Sequence, residues 1–574
     1  MIDASLLVVA GLVLIVLVAA FSRRTGVASP LILLVVGAAA GFLPFVPPVA
    51  VPHEWILAGV LPVLLYATAV NLPTTDFRRN IVPITGLSVV LVLLSTAAMG
   101  GLLALLFPKL DLFAAFALGA IVSPTDAVAA TTIARRLGLP ERTVTVLEGE
   151  SLVNDASALV LLRACTAAAT AGSVDLLAIG GSFVVSVLLA VAIGLVAGWV
   201  TAEVRARLSD PVLTTTISFV VPFVAFVPAE RLGASGVLAT VVAGLVTGAR
   251  GARIFDASQR VSDHTNWRTV QFVLEHAVFL VMGLEFKPLV TELSRGATTI
   301  AQAVGVGLLV VLGLFVVRAA YVAAELPLLR RWERAALHRA DALDQRAERL
   351  EAYDPEDERK AERKDRAERN LAQRRADLAF LQANGLSWRG AAVVSWSGMR
   401  GVVTLAAAQS LPDDLPGHPL LVLVAFTVAV VSLLGFGSSL PLVIRLLHVR
   451  GADRRARSDE VRELLDQINR SSLRVLDDRD LRRVHGEEPD PHVVDSLRKR
   501  YGYRRDEDDG TDEPRDRDAI RDQFLVLRRR MRQAARDELL DARSVGTFST
   551  RAIRTAQEIL DLSDAREDRI ADQP

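Results

Sequence analysis

Apolar residues in this chain gather into runs of about twenty, and short polar stretches separate them. The runs fall near residues 5–21, 30–47, 54–72, 81–107, 111–137, 141–170, 175–202, 210–228, 233–249, 267–286, 297–325, 389–411 and 418–447. At a rise of about 1.5 Å per residue each is long enough to cross the hydrocarbon core of a bilayer as a helix. The pattern therefore predicts an all-α polytopic membrane protein with about 13 transmembrane helices. Loop charges order these spans. Odd-numbered spans lead to Arg23 and Arg24; Arg78 and Arg79; Arg135, Arg136 and Arg142; Arg205 and Arg207; and Arg250, Arg253 and Arg260. Even-numbered spans lead to loops holding Lys109, Arg231, Lys287 and Arg295, or no base. Cationic loops stay on the cytoplasmic side, which puts the N-terminus outside and the C-terminus in the cytoplasm. The Ala- and Arg-rich, Lys-poor usage hints at a bacterial chain, so the expected membrane is a bacterial plasma membrane. Met1-Ile2-Asp3 lacks a basic leader region, so the first run is expected to remain as a span.

The apolar pattern fails in two places, and charge explains both. The 64 basic and 64 acidic residues cancel, but they crowd into 328–388 and 450–574. The expected organisation is spans 1–11 in 1–327, a charged cytoplasmic helical loop in 328–388, spans 12–13 in 389–449 and a cytosolic tail in 450–574. The run 356–369 alternates acids and bases at i,i+4, the pattern of a solvated helix. In the tail, Val461–Val475 and Ile520–Leu540 are amphipathic, whereas Arg504–Arg517 has the composition of a disordered segment. The neutral total says nothing about partners; the apolar spans imply the lipid bilayer, and no nucleic acid is expected. Cys165 is the only cysteine, which excludes a disulfide framework and a thiolate metal site. No cofactor motif is present.

Three carboxylates interrupt the apolar pattern in spans 5 and 6. An aspartate at the centre of a membrane helix costs about 3 kcal/mol on insertion scales, so Asp126, Glu150 and Asp155 point to use. From the turn at 138–140, Asp126 lies about 13 residues back and Asp155 about 16 forward, roughly 20 and 24 Å along adjacent antiparallel helices. Both thus sit near the bilayer midplane. Glu150 and Asn154 are i,i+4 neighbours, as are Ser151 and Asp155, giving one helix two acids, a hydroxyl and an amide. Such an oxygen set suits a hard cation like Na⁺. Pro124 removes a backbone donor and is expected to break span 5 beside Ser123, Thr125 and Asp126. Carbonyls freed by such a break can ligate an ion.

Span 12 carries the counterpart. Arg400 lies about eleven residues into it, flanked by Gly398 and Gly401, which permit unwinding or close backbone approach. An arginine that deep must pair with an acid or line water. Spans 5 and 12 are seven apart, as are 6 and 13, and interrupted helices in two halves signal an inverted-repeat transporter. Arg318 in span 11 is a second intramembrane base, and snorkelling to the interface is its alternative reading. Arg163 towards the outer end of span 6 has the same choice.

Ser-Pro-Thr-Asp-Ala-Val-Ala (123–129), Gly-Glu-Ser-Leu-Val-Asn-Asp (149–155) and Gly-Met-Arg-Gly-Val-Val-Thr-Leu-Ala (398–406) together resemble the monovalent cation:proton antiporters of the CPA1 type. The resemblance covers roughly residues 5–447. It implies exchange of Na⁺ or Li⁺ for H⁺, with cation and proton competing for Asp155. Thr125, Ser151, Asn154 and Asp126 would complete the ion- and proton-binding set, and Asn154 would mark the electroneutral branch. It further implies Glu150–Arg318 and Asp126–Arg400 ion pairs, helix breaks at Pro124, Gly398 and Gly401, and a homodimer. One position departs from the pattern. Many relatives have an acid after the string matching Leu61-Pro62-Val63-Leu64-Leu65-Tyr66, where this chain has Ala67. A K⁺/H⁺ or broad-specificity antiporter therefore stays open. A membrane sensor or channel subunit with purely structural charges is the rival of another class. The mirrored breaks oppose it. An intramembrane aspartyl protease is opposed by Arg318 and Arg400, which would neutralise neighbouring acids.

Overall fold

The computed structural model describes residues 4–25, 27–44, 46–47, 51–52, 54–108, 110–171, 176–208, 210–293, 300–337, 340–353, 357–411, 418–449, 454–501 and 517–571. Lys109, Arg295 and nearly all of the 504–517 segment lie outside them. The described chain divides into two compact units, residues 1–335 with 384–451, and residues 336–383 with 452–574.

The first unit is the membrane body. It begins with α1 (Ala4–Thr25) and α2 (Ser29–Gly41). A π-helical turn, 55–60, then leads into α3 (Leu61–Asn71). Two short helices follow, α4 (Thr74–Arg79) and α5 (Ile81–Thr85), and a second π-helical turn at 86–90 joins α5 to α6 (Leu91–Leu106). Next come α7 (Leu112–Val122), α8 (Ala127–Leu137), α9 (Glu141–Ala171), α10 (Leu176–Ala206), α11 (Pro211–Arg231), α12 (Gly236–Ile254), α13 (Ala257–Leu284), α14 (Phe286–Leu293) and α15 (Ile300–Leu337). Nine helices among the described residues are long and apolar enough to cross a membrane. The shorter α2, the stretch 55–71 and α7 are apolar as well. With the broken helix at 388–409 they supply a helical element at each of the thirteen expected passes.

Helix starts follow local chemistry. Asp111 accepts from the amides of Phe113 and Ala114 to open α7, and Asp210 accepts from Val212 to open α11. Two span limits differ from the hydropathy pattern. The helix of span 10 begins at Ala257 rather than near 267, because its first turns carry polar residues that hydropathy reads as loop. Span 11 continues beyond 325 to Leu337 with Pro327 inside it. Several loop arginines are also not free. Arg205 is 1% exposed, paired with Asp263 and stacked 4.4 Å over Phe255. Arg135 pairs with Glu148.

The second unit starts with a hairpin, α16 (Ala340–Glu351) and α17 (Glu358–Ala383). The chain then returns to the membrane body for α18 (Trp388–Trp396), α19 (Val402–Gln409) and α20 (His418–Leu446). It ends in the second unit with α21 (Arg454–Asp477), α22 (Arg479–Arg482), α23 (Pro491–Tyr501), α24 (Arg517–Val545) and α25 (Thr550–Ala571). There Leu464 and Ile468 of α21 pack with Leu539 of α24 and Ile553 of α25, the apolar face that the amphipathic periodicity implies.

Candidate ion-binding site

Both interrupted helices break where the sequence places the breaks. Between α7 and α8 the chain leaves helical geometry over 123–126, and between α18 and α19 over 397–401. The two breaks meet, since the amide of Asp126 donates to the carbonyl of Met399 at 2.7 Å. Backbone groups that leave a helix in a membrane must be satisfied inside the protein. Here one break partly satisfies the other.

Side chains from α9 hold the first break. Thr125 Oγ1 donates to Glu150 Oε1 at 2.7 Å. Asn154 Nδ2 donates to Thr125 O at 3.1 Å and to Thr125 Oγ1 at 3.0 Å. Thr125, Glu150 and Asn154 are all buried. Ser123 is held separately, donating to Gly119 O at 2.6 Å and meeting Thr96 Oγ1 at 3.2 Å. Glu150 also receives the guanidinium of Arg318 on α15, with Nη2 donating to Oε2 at 2.7 Å and Nη1 to Oε1. Arg318 Nε donates to Val394 O of α18 at 3.0 Å, and the residue is 1% exposed. That excludes snorkelling. Arg163 does lie outward, where it pairs with Glu230 at 2.7 Å and is half exposed.

The expected Asp126–Arg400 pair is not formed. Asp126 caps α8, accepting from the Val128 amide at 2.8 Å. Arg400 Nε donates to Val122 O, the last carbonyl of α7, at 3.1 Å, and Nη1 donates to Gly398 O. Its amide donates to Ser432 Oγ at 3.0 Å. Among the described residues no carboxylate lies within ion-pair distance of Arg400. The physical reason is the helix breaks themselves. A broken helix offers a partly positive N-terminus and a partly negative C-terminus. The aspartate takes the first and the arginine the second, so each charge is compensated without the other.

The glycines make this crossing possible. A Cβ on Gly401 would fall on Asp126, within 2.7 Å of its Cβ and Cγ. One on Gly398 would stand 2.9 Å from Arg318 Cδ and 3.2 Å from Arg400 Nη1. Gly401 has φ −119°, open to any residue, so space is what demands glycine there.

Asp155 is buried on the same helix, one residue beyond Asn154, within electrostatic range of Asp126. Among the described residues it has no hydrogen-bond or ion-pair partner. The carbonyl oxygen of Asn154 is likewise buried and unmatched. Ser151 lies one turn before Asp155 and is half buried. The structure thus brings Thr125, Asp126, Glu150, Asn154, Arg318 and Arg400 around one crossing, with Asp155 beside it.

Sequence reasoning passed over two further acids. Glu275 on α13 accepts from Gln271 Nε2 at 2.6 Å and lies within electrostatic range of Asp126. Gln271 also reaches Thr68 Oγ1 on α3 at 3.5 Å, one residue from the fully buried Ala67. Glu325 on α15 shares a hydrogen bond with Tyr321 and lies within range of Glu150 and Arg318. Each is an acid within or at the end of an apolar run. That is the signal that marked Asp155, here without a recognisable string around it.

Crossed helix breaks with one unpartnered buried carboxylate in a polytopic helical body define a secondary-transporter architecture. The transmembrane model of the sodium/hydrogen exchanger family matches residues 11–446, and the chain belongs to that family. An uncharacterized Na⁺/H⁺ exchanger of Mycobacterium tuberculosis (strain H37Rv) is 30% identical over 448 residues, 77% of this chain and 74% of that protein. A sodium, potassium, lithium and rubidium/H⁺ antiporter of Bacillus subtilis is 31% identical over 236 residues, 40% of this chain and 35% of its own. The fold is that of the sodium proton antiporter MjNhaP1 from Methanocaldococcus jannaschii, with TM-score 0.52 and 16% identity over 76% of this chain and 97% of that one.

Proposed function

We propose that this protein exchanges Na⁺ or Li⁺ for H⁺ across the plasma membrane, and that cation and proton compete for Asp155. The observation that carries the reading is the environment of that carboxylate. It is buried, it has no partner among the described residues, and it stands beside two crossed helix breaks whose other charges are already compensated. A bare carboxylate held from water needs a proton or a cation. Nearby oxygens suit the cation. Asn154 Oδ1 is buried without a donor, and a buried acceptor left unmet costs about 1–3 kcal/mol. Thr125 Oγ1 gives its proton to Glu150 and accepts from Asn154, keeping one lone pair for cargo. Ser151 adds a hydroxyl one turn from Asp155.

The core moves when Asp155 is loaded with either ligand and not when it is bare and charged, which yields exchange rather than leak. The protein works without a cofactor as a homodimer, N-terminus outside and C-terminus cytoplasmic, with the charged loop and tail on the cytoplasmic side. The alternation of arginine-bearing loops supports this orientation. A second reading, exchange of a wider set of alkali cations, is favoured by the cation range of the Bacillus subtilis relative and by Ala67.

The test is dye dequenching in everted vesicles from an antiporter-deficient host, with Na⁺, Li⁺ and K⁺ added in turn. Dequenching by Na⁺ and Li⁺ but not K⁺, abolished by Asp155→Asn at wild-type membrane levels, is the expected result. Equal dequenching by K⁺ selects the second reading. Exchange that survives Asp155→Asn overturns the role of that residue.

A further inference from the structure

Arg142 counts in the sequence as one of the bases in a cytoplasmic loop. In the structure it is 4% exposed and is the second residue of α9, the helix that carries Glu150, Asn154 and Asp155. Its guanidinium meets polar groups on three other elements, two by hydrogen bond and one as an ion pair. Nε donates to Asn80 Oδ1 at 2.9 Å, where α4 turns into α5. Nη1 donates to Asn384 O at 3.1 Å, in the lead to α18. Nη2 pairs with Glu333 on α15 at 2.7 Å. Asn80 is itself fully buried, and its amide side chain donates to Asp76 O at 2.9 Å.

The helices tied here are the ones tied at the site. Arg318 of α15 joins Glu150 of α9 to Val394 O of α18. Arg142 of α9 joins Glu333 of α15 to Asn384 O, four residues before α18 begins. α9 and α15 are therefore cross-linked twice, once at the ion site and once where α9 starts, and the chain of α18 is caught both times, at Val394 and in its lead at Asn384. Two fasteners at different heights fix three helices against both sliding and splaying, which one alone cannot do. The positions of Glu333 and Asn384 add a second consequence. The chain leaves the membrane body after residue 335 and returns to it at 384. Both attachment points of the α16–α17 insertion therefore converge on one guanidinium.

We propose that Arg142 is a positioning residue, which locks α9, α15 and the lead to α18 into one moving body and passes force on the inserted hairpin to the helix bearing Asp155. It touches no cargo. Its loss leaves Glu333, Asn80 Oδ1 and Asn384 O without their shared partner. The inference rests on the antiport reading for its rate measurement only.

The experiment uses the full chain in liposomes, with Na⁺-driven proton flux measured per inserted molecule. Wild type, Arg142→Gln and Arg142→Lys are each tested with the hairpin intact and with residues 338–382 replaced by a short Gly/Ser linker. Arg142→Gln is expected to lower the maximal rate about tenfold with the apparent Na⁺ KM within about twofold, since the ion ligands are untouched. Lysine restores little, because a point charge cannot meet three groups in a planar fork. Replacing the hairpin changes the rate in wild type and has no further effect in Arg142→Gln. Wild-type rates in Arg142→Gln, or the same hairpin effect in both backgrounds, overturn the proposal. Glu333→Gln, which removes one of the three ties, replaces Arg142→Gln if the latter fails to insert. If wild type itself shows no exchange, the antiport reading has failed, and amide hydrogen exchange decides this proposal alone. Faster exchange at 141–145 and at 384–388 together in the variant supports it, and unchanged protection in either segment refutes it.

Discussion

Replacing Gly401 by alanine tests whether the two helix breaks depend on each other. The new methyl carbon would stand 2.7 Å from Asp126 Cβ and Cγ and overlap its carboxylate. Apolar carbons settle at about 3.5–4.0 Å, so Asp126 must retreat by about 1 Å. Overpacking of this kind costs about 1–3 kcal/mol. The retreat also strains the Asp126 amide bond to Met399 O and the carboxylate cap on Val128, each worth about 1 kcal/mol. If about half the worth of each bond is lost, the sum is about 2–4 kcal/mol, which corresponds to a loss of roughly 30- to 1000-fold if it falls on the transport-competent state. Because φ at Gly401 is open to any residue, backbone strain adds nothing. Gly435→Ala on α20 is the control, since a Cβ there meets nothing within 4 Å. Rates per inserted molecule should fall in Gly401→Ala and stay near wild type in Gly435→Ala. A Gly401→Ala protein that transports at half the wild-type rate or better would refute the reasoning, because the methyl could then be absorbed without disturbing the crossing.

Two other perturbations probe the charges around the site. Glu150→Gln or Arg318→Gln alone leaves one buried charge without its partner and should destabilise the protein by about 3–5 kcal/mol, read as a fall in thermal midpoint in detergent. The double variant should lose clearly less than the sum of the singles, and strict additivity would mean that the pair does not act as a unit. Glu275→Gln should raise the apparent Na⁺ KM about three- to tenfold with little change in maximal rate, because it removes a carboxyl group near the site without touching Asp155. An unchanged KM would place Glu275 outside the path of the ion.

The membrane passes were legible in the sequence because a bilayer imposes a length and an apolarity that few soluble helices share. So were the breaks. Proline costs a membrane helix a hydrogen bond, glycine lets its backbone open, and an adjoining Asp126 or Arg400 needs the groups thus freed. The pairing of charges was less legible. Asp126 and Arg400 are opposite charges at matching places in two interrupted spans, and counting charges makes them partners. Helix ends do not appear in such a count, yet the C-terminal carbonyl of α7 and the N-terminal amide of α8 are what the two residues engage. Arg142 was hidden for a related reason. A base just before an apolar run reads as a topology signal, and nothing local reveals that Asn80, Glu333 and Asn384 converge on it from distant parts of the chain. The first turns of α13 were missed because Ser258, Gln259, Arg260 and Asp263 lower the hydropathy of a segment that is helical all the same.

The separate compensation of Asp126 and Arg400 has a consequence for stoichiometry. Had they formed an ion pair, a cation entering beside Asp126 would compete with a guanidinium. Instead, Asp126 is held by the start of α8, Glu150 by Arg318, and Arg400 by carbonyls, so the crossing is balanced before any ion arrives. Asp155 is then the carboxylate at the crossing with no partner among the described residues, and the proposed reading assigns the loading to it. One carboxylate takes one monovalent cation or one proton, so loading at Asp155 alone predicts one-for-one exchange. Two measurements follow. The apparent Na⁺ KM should rise by about tenfold for each unit of acidification once protons dominate the site, as simple competition requires. The rate should also be indifferent to membrane potential, since no net charge crosses in a cycle. With potential clamped by K⁺ and valinomycin in Na⁺-driven liposomes, equal rates at 0 mV and at about −100 mV are expected, where one uncompensated charge would feel about 2.3 kcal/mol. A several-fold dependence on potential would require a second titrating carboxylate in the cycle, and Asp126 would have to leave the end of α8 to provide it.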